Sequence, residues 1–294
     1  GKTAFSLVKA NTIISNFKPD VVIGTGGYVC GPILMAAALR NIPTLIQEQN
    51  VIAGITNKIL SRFVDVVAVG YKDAEASFSK AKRVVYTGNP VRPDVLVDTR
   101  ADGRNYFNLS DDTFTVLIAG GSRGARTINN AMIDVHKHFQ GTKGIKLIHI
   151  TGDGEYKSVL SQLGITDGNG LGDSSVILPY LHDMPKALAA ADLAVFRSGA
   201  IGLAELAVRG IPSVLVPYPY AAEDHQTYNA RIFVQEGAAH MIVDQMLSAH
   251  DLIGEIEMFM ANRDLLAQMG ERALQLGKPN AAHDIAKLAL SIAK

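Results

Sequence analysis

The sequence predicts an α/β protein built from doubly wound parallel sheets, and three observations carry that prediction. Short apolar runs rich in Val and Ile recur along the chain, most are followed by polar turns that carry glycine or proline, and helical stretches lie between them. Strands buried on both faces read as continuous apolar runs, and the helices between them supply the covering layers. Right-handed crossovers then bring every strand-to-helix turn to one edge of each sheet, the edge where such folds bind ligands.

Eight runs read as strands: DVVIG (20–24), PTLIQ (43–47), DVVAVG (65–70), TVLIAG (115–120), IKLIHITG (145–152), SVILPY (175–180), DLAVFR (192–197) and PSVLVPY (212–218). The helical stretches include PILMAAALRN, AGITNKILSRF, RTINNAMIDVHKHFQ, DMPKALAAA, GLAELAVRG and HQTYNARIFVQEG. A chain of 294 residues exceeds what one core usually organises, so two domains are expected. The stretch 90–113 carries two prolines and many charges, and the strand pattern restarts after it. The expected division is therefore a first domain over 1–93, a linker over 94–113, a second domain over 114–265 and C-terminal helices over 266–294, with Pro279 and Asn280 breaking the last helix from its predecessor.

Composition excludes several classes. Lys+Arg and Asp+Glu both total 28, so no basic field argues for nucleic acid. The single cysteine, Cys30, rules out an internal disulfide framework and fits a reducing compartment. No segment reaches the ~20 apolar residues of a membrane span, and the first residues lack the pattern of a signal peptide. The absence of an initiator Met and of a strand ahead of the first helix reads as a missing N-terminal portion. No H-E-x-x-H, C-x-x-C or D-x-D occurs, so no metal cofactor is expected. His136, His138 and His149 are expected on the surface or in the core rather than as ligands.

Five turns carry the chemistry. In VVIGTGGYVCGP (21–32), Gly24, Gly26 and Gly27 let the backbone approach a ligand, or simply make a tight turn that Tyr28 covers. IQEQNVIAGITNK (46–58) gathers Glu48, Gln49, Asn50, Thr56 and Asn57, which suits hydroxyl recognition or a solvated cap. AGGSRGARTIN (119–129) stands between a strand and a helix, where a phosphate turn belongs, with the Ser122 hydroxyl and Arg123 and Arg126 beside it. It is neither a Walker loop nor G-x-G-x-x-G, so a nucleoside diphosphate fits better than ATP or NAD. In FRSGAIGLAELAVRGIP (196–212), Glu205 has the place of a carboxylate that takes both ribose hydroxyls, or complements a helix dipole. PYPYAAEDHQTYNA (217–230) offers Gln226 and Asn229 for sugar hydroxyls; there His225 beside Asp224 allows acid–base work, and Asp224 alone allows a helix cap.

Six segments in order, DVVIGTGGYVCGP, EQNVIAGITNK, TGNPVR, GGSRGA, DMPKALAAADLAVFRSGA and PYPYAAEDHQTYNA, together resemble the MurG family of N-acetylglucosaminyltransferases over about residues 18–240. The resemblance implies GT-B architecture: two Rossmann-like domains facing a cleft, the first incomplete at its N-terminus, with C-terminal helices returning toward it. It assigns the UDP-GlcNAc donor to Asn50, Arg92, Ser122, Leu181 through its backbone, the helix start Ala200, Ile201, Gly202, Leu203, Ala204 and Glu205, and Gln226. Tyr28, Glu48 and Asn57 fall on the acceptor side. The family's general base, a histidine in a Gly-rich loop, is expected ahead of residue 1; within the chain only Glu48 is nominated for that role. Gly202 stands where the family pattern R-x-G-A-x-T-x-x-E has Thr.

The reaction implied is inverting transfer of GlcNAc to the C4 hydroxyl of undecaprenyl-diphosphate-linked MurNAc-pentapeptide, in peptidoglycan synthesis. The Gly-rich turn, its helix and Arg92 would stabilise the departing diphosphate in place of a metal. The resemblance also implies peripheral attachment to the cytoplasmic face of the plasma membrane and other cell-wall synthesis proteins as partners. The first helix, with Phe5, Leu7, Val8, Ile13 and Ile14 near Lys2 and Lys9, suits lipid contact or core packing. The chain alone is expected to bind UDP and turn over poorly. The alternatives are a UDP-GlcNAc 2-epimerase, which shares the GT-B plan, and a non-catalytic nucleotide-sugar-binding subunit.

Overall fold

The computed structural model describes residues 2–121 and 124–294. The chain divides into two compact units, one of 1–90, 221–228 and 278–294, the other of 91–220 and 229–277.

The first unit holds a four-stranded parallel sheet in the order β1 (Val22–Gly24), β2 (Thr44–Glu48), β3 (Val66–Val69), β4 (Val84–Tyr86). On one face Ile46, Val67 and Val69 pack with Leu34, Leu60 and Phe78, drawing on helices α2 (Cys30–Leu39) and α3 (Ile55–Leu60) and a 3-10 turn at Lys72–Phe78. On the other, Leu45, Val66 and Ala68 are covered by Ile285 and Ala289 of α13 (Ala281–Ile292). Both faces are therefore dry, which is why these strands are continuous in Val, Ile and Leu rather than alternating. The first helix, α1 (Lys2–Phe17), buries Ala10 and Ile14 against Ala36 and Ala37 of α2, while Phe5, Val8, Ile13 and Phe17 stay exposed.

The second unit holds a six-stranded parallel sheet, ordered β10 (Ala239–Met241), β9 (Ser213–Leu215), β8 (Leu193–Phe196), β5 (Phe114–Ala119), β6 (Ile145–Ile150), β7 (Ser175–Leu178). Strand order reverses beside β5, which pairs with β6 on one side and β8 on the other. The crevice beyond the carboxyl ends of β5 and β8 is the topological switch point at which open α/β sheets bind ligands. Helix α6 (Arg126–Phe139) follows β5 and α9 (Ala200–Arg209) follows β8, so two helix N-termini open at that crevice. Ile118, Ile128, Met132 and Val195 form the core beneath it, closed by Leu252, Ile256 and Phe259 of α11 (Ala249–Ala261).

The expected linker at 94–113 is folded structure. Helices α4 (Pro93–Val97) and α5 (Arg100–Tyr106) lie within it, the latter opened by a reciprocal capping box between Thr99 and Asp102. They pack in the second unit against α8 (Met184–Ala190): a Cβ at Gly103 would strike the backbone of Lys186 and Ala190. Arg104 is buried and donates to the carbonyls of Ser110 and Thr113, and Lys186 pairs with Asp98 at 2.6 Å. Among the charges of this stretch, Arg104 thus closes the turn that follows α5 and Asp98 ties α4 to α8. The helices expected together over 266–294 are also divided: α12 (Arg263–Leu276) stays with the second unit and α13 joins the first. Strands β4 and β10 and helix α7 (Tyr156–Leu163) are additions to the elements read from the sequence.

A buried polar chain ties α6 to the sheet. Asn129 donates Nδ2 to the Thr151 carbonyl (2.9 Å), which leaves its Oδ1 to accept from His149 Nε2 (3.0 Å). His149 Nδ1 then accepts from His136 Nε2 (3.0 Å), and His136 Nδ1 accepts from the Ser175 hydroxyl (2.9 Å). With both imidazoles neutral, the direction of every bond follows from the first. His138 is instead exposed beside Glu257. Burial pushes His136 down to about 4, and burial followed by its neighbour pushes His149 well below the ordinary histidine range. Unfolding frees both to protonate near 6.5, so the unfolded chain binds more protons between that pH and about 4. Stability should hold above pH ~6.5 and fall below it, by on the order of 1.4 kcal/mol per pH unit for each histidine. Denaturant melts at stepped pH check this. A His136→Leu variant should show a shallower fall; an unchanged slope would remove the histidines as its cause.

Candidate functional site

The carboxyl edge of the second unit's sheet is built around close backbone approaches. A Cβ at Gly120 would collide with Ala125, and one at Gly124 with the carbonyl of Thr151; Gly121 and Gly124 have φ of +91° and +75°. Only glycine makes this turn without strain. Ser122 and Arg123 lie outside the described residues. The N-cap residues of α6 and α9, Ala125 and Gly199, make no side-chain cap to the first N–H groups of their helices. Arg126 is exposed and pairs with Glu155 at 2.9 Å.

Arg92 and Glu205, both expected at the donor, meet each other. The guanidinium takes the carboxylate in a fork, Nε to Oε1 at 2.8 Å and Nη2 to Oε2 at 3.1 Å, with the Glu205 side chain only 8% exposed and that of Arg92 47%. Such bidentate geometry fixes the plane of the carboxylate. Leu181 is buried in the segment between β7 and α8. A Cβ at Gly202 would meet only the Phe196 ring, at 3.7 Å, so the departure from Thr there is not imposed by lack of space.

Two framing residues gave no motif in the sequence. Arg197, the residue after β8, is part-buried, donates to the carbonyls of Val216 (3.1 Å) and Pro217 (3.0 Å), and pairs with Asp244. Asp244 also accepts from the Thr127 hydroxyl in the first turn of α6 at 3.1 Å. These bonds join the turns after β8 and β9 to α6. The available signal was a charged residue ending an otherwise apolar strand.

The first unit carries a second polar site, a cavity of about 390 Å³ whose wall includes Tyr28, Glu48, Asn50, Asn57 and His225. Glu48, 3% exposed, accepts from the Asn50 N–H (3.0 Å) and Nδ2 (3.4 Å) through Oε1, and from the Gly54 N–H (3.0 Å) and Asn57 Nδ2 (2.8 Å) through Oε2. Beneath it Gln47 donates to Asn89 Oδ1 (2.9 Å), and Asn89 donates to the Gln49 carbonyl (2.9 Å). The GNPVR motif is therefore shared: Asn89 supports the first unit's site and Arg92 the second's. Lys58 pairs with Glu223 at 3.1 Å. His225 Nδ1 donates to the Ala222 carbonyl (2.7 Å), so in the neutral ring Nε2 is the acceptor. Asp224 accepts from the Thr227 hydroxyl at 2.6 Å. Gln226 follows His225 in the first turn of α10 (His225–Gln235), grouped with the first unit.

The chain matches the C-terminal domain of glycosyltransferase family 28 over residues 115–288 and the N-terminal domain of that family over 2–69. The chain belongs to glycosyltransferase family 28, in its MurG branch. It is 46% identical over 279 residues to the UDP-N-acetylglucosamine–N-acetylmuramyl-(pentapeptide) pyrophosphoryl-undecaprenol N-acetylglucosamine transferase of Desulforamulus reducens, an alignment covering 94% of this chain and 74% of the relative. The transferase of that name from Desulfitobacterium hafniense is 44% identical, over all of this chain and 79% of its own length. Among solved structures, Acinetobacter baumannii MurG superposes with a TM-score of 0.77 at 31% identity, covering 99% of this chain and 80% of that one. A co-structure of Staphylococcus aureus MnaA with UDP has a TM-score of 0.73 at 16% identity, covering 99% and 81%, and shares the fold. Within family 28 the two parallel sheets are the two halves of GT-B architecture, and this chain is a hexosyltransferase.

Proposed function

We propose that this protein transfers GlcNAc from UDP-GlcNAc to the C4 hydroxyl of undecaprenyl-diphosphate-linked MurNAc-pentapeptide with inversion at C1. The observation that carries this reading is the 46% identity, along 94% of the chain, to a transferase bearing that name. The second unit takes the donor. Glu205, held flat by Arg92, accepts the ribose hydroxyls, and the backbone of Leu181 meets the uracil. The N–H groups at the starts of α6 and α9 take up the charge that develops on the departing diphosphate, in a crevice where fixed donors need no reorganisation. Ser122 is assigned to the donor by its place in the GGSRGA motif. Asn50 and Gln226 contact the donor sugar, and the first unit's cavity, with Tyr28, Glu48 and Asn57, receives the acceptor.

A lipid-linked acceptor places the reaction at a membrane surface. No helix among the described residues is long and apolar enough to cross a membrane. Peripheral attachment at the cytoplasmic face of the bacterial plasma membrane suits the exposed Phe5, Val8 and Phe17 of α1. The test is one assay: protein, radiolabelled UDP-GlcNAc and a lipid-linked acceptor in vesicles. The expected result is UDP release, label in the disaccharide lipid and co-sedimentation of protein with vesicles. Absence of acceptor-dependent transfer would sink the assignment; an epimerised sugar nucleotide formed without acceptor would replace it with the epimerase reading.

A further inference from the structure

Glu48 stands in the cavity wall where a general base would be sought, and its surroundings assign it other work. A carboxylate has about four lone-pair positions. Here four donors fill them: the backbone N–H groups of Asn50 and Gly54 and the side-chain amides of Asn50 and Asn57. The residues bridged, 50 to 57, run from the loop after β2 into the first turn of α3, and Asn50, Ile52, Gly54 and Asn57 among them line the cavity. Two backbone N–H groups satisfied by one carboxylate fix the path of a segment that has no ladder partner of its own.

The same carboxylate decides what Asn57 presents. A carboxylate only accepts, so the Asn57 amide must turn its nitrogen toward Glu48. Its oxygen then points elsewhere: Asn57 Oδ1 is buried and has no hydrogen-bond partner among the described residues. A buried unpartnered acceptor costs stability unless something donates to it, and Asn57 lines the cavity. We propose that Glu48 is a positioning residue for the acceptor: it orders residues 50–57 and orients the Asn57 amide so that Oδ1 accepts from a hydroxyl or N–H of the incoming acceptor sugar. This rests on the reading of the first unit's cavity as the acceptor site.

The test is Glu48→Gln, with Asn57→Ala as a second variant in case the first does not fold. Glutamine keeps the shape but sets an NH₂ group against a backbone N–H and loses part of the clamp. Both variants should raise the acceptor KM by about tenfold or more, leave UDP affinity within about twofold, keep the limbs of the kcat pH profile in place, and speed amide exchange of residues 50–57 by about tenfold or more. A kcat loss of about a hundredfold with acceptor KM and exchange unchanged would overturn the inference and make Glu48 a proton-transfer group. Wild-type values in both variants would overturn it as well. Lack of transfer by the wild-type protein would count against the assigned reaction alone, and the exchange measurement would still decide whether Glu48 orders the loop.

Discussion

Gly124→Ala should abolish UDP binding and destabilise the second unit by more than about 3 kcal/mol. The residue has φ of +75°, where a Cβ costs ~1–2 kcal/mol. The larger effect is steric. The new methyl would enter the space of the Thr151 carbonyl oxygen, and that carbonyl is held by the Asn129 amide at 2.9 Å. Asn129 is held in turn by the histidine chain from α6 to β7, so the neighbour cannot yield without breaking buried hydrogen bonds. Relief comes only from opening the turn between β5 and α6, which carries the N–H groups proposed to hold the diphosphate. Denaturant melts and UDP calorimetry report the two effects separately. Stability within about 1 kcal/mol of wild type, with UDP binding intact, would show that the turn has slack the geometry does not reveal.

Glu205→Ala should weaken UDP by about a hundredfold and erase the preference for UDP over its 2′-deoxy analogue. Two hydrogen bonds to a charged acceptor are worth roughly 1.5–3 kcal/mol each, and a hundredfold is about 2.7 kcal/mol. Little stability should be lost, because the partner left behind, Arg92, is 47% exposed and water can solvate it. Calorimetry with both nucleotides decides. A retained preference for the 2′-hydroxyl would move ribose recognition away from Glu205, whatever the change in UDP affinity. Arg92→Ala provides the complement: the carboxylate remains but its plane is no longer set, so the preference should shrink rather than vanish.

The site was legible to different depths. Glu205 and the glycines of the turn after β5 were readable because strand, turn and helix are adjacent in sequence, so local order alone puts them at the ligand edge. The pairing of Arg92 with Glu205 joins residues 113 positions apart and leaves no periodic trace. The frame made by Arg197, Asp244 and Thr127 was hidden for the same reason. Asn89 was visible only as part of a motif, and its partners, Gln47 in β2 and Gln49 just past that strand, stand 42 and 40 residues earlier.

Sequence alone determined the α/β class, eight of the ten strands and the turns that follow them at the carboxyl edges of the sheets, because burial on both faces writes itself as unbroken apolar runs. Only tertiary structure decided that residues 94–113 are no linker. Whether a charged side chain meets water or a buried carbonyl depends on what packs over it, and here α8 and α9 pack over α4 and α5. Tertiary structure likewise sent α13, but not α12, to cover the first sheet. It also surrounds Glu48, the residue nominated as base, with four donors, which converge on it only after residues 48–57 have folded back upon themselves.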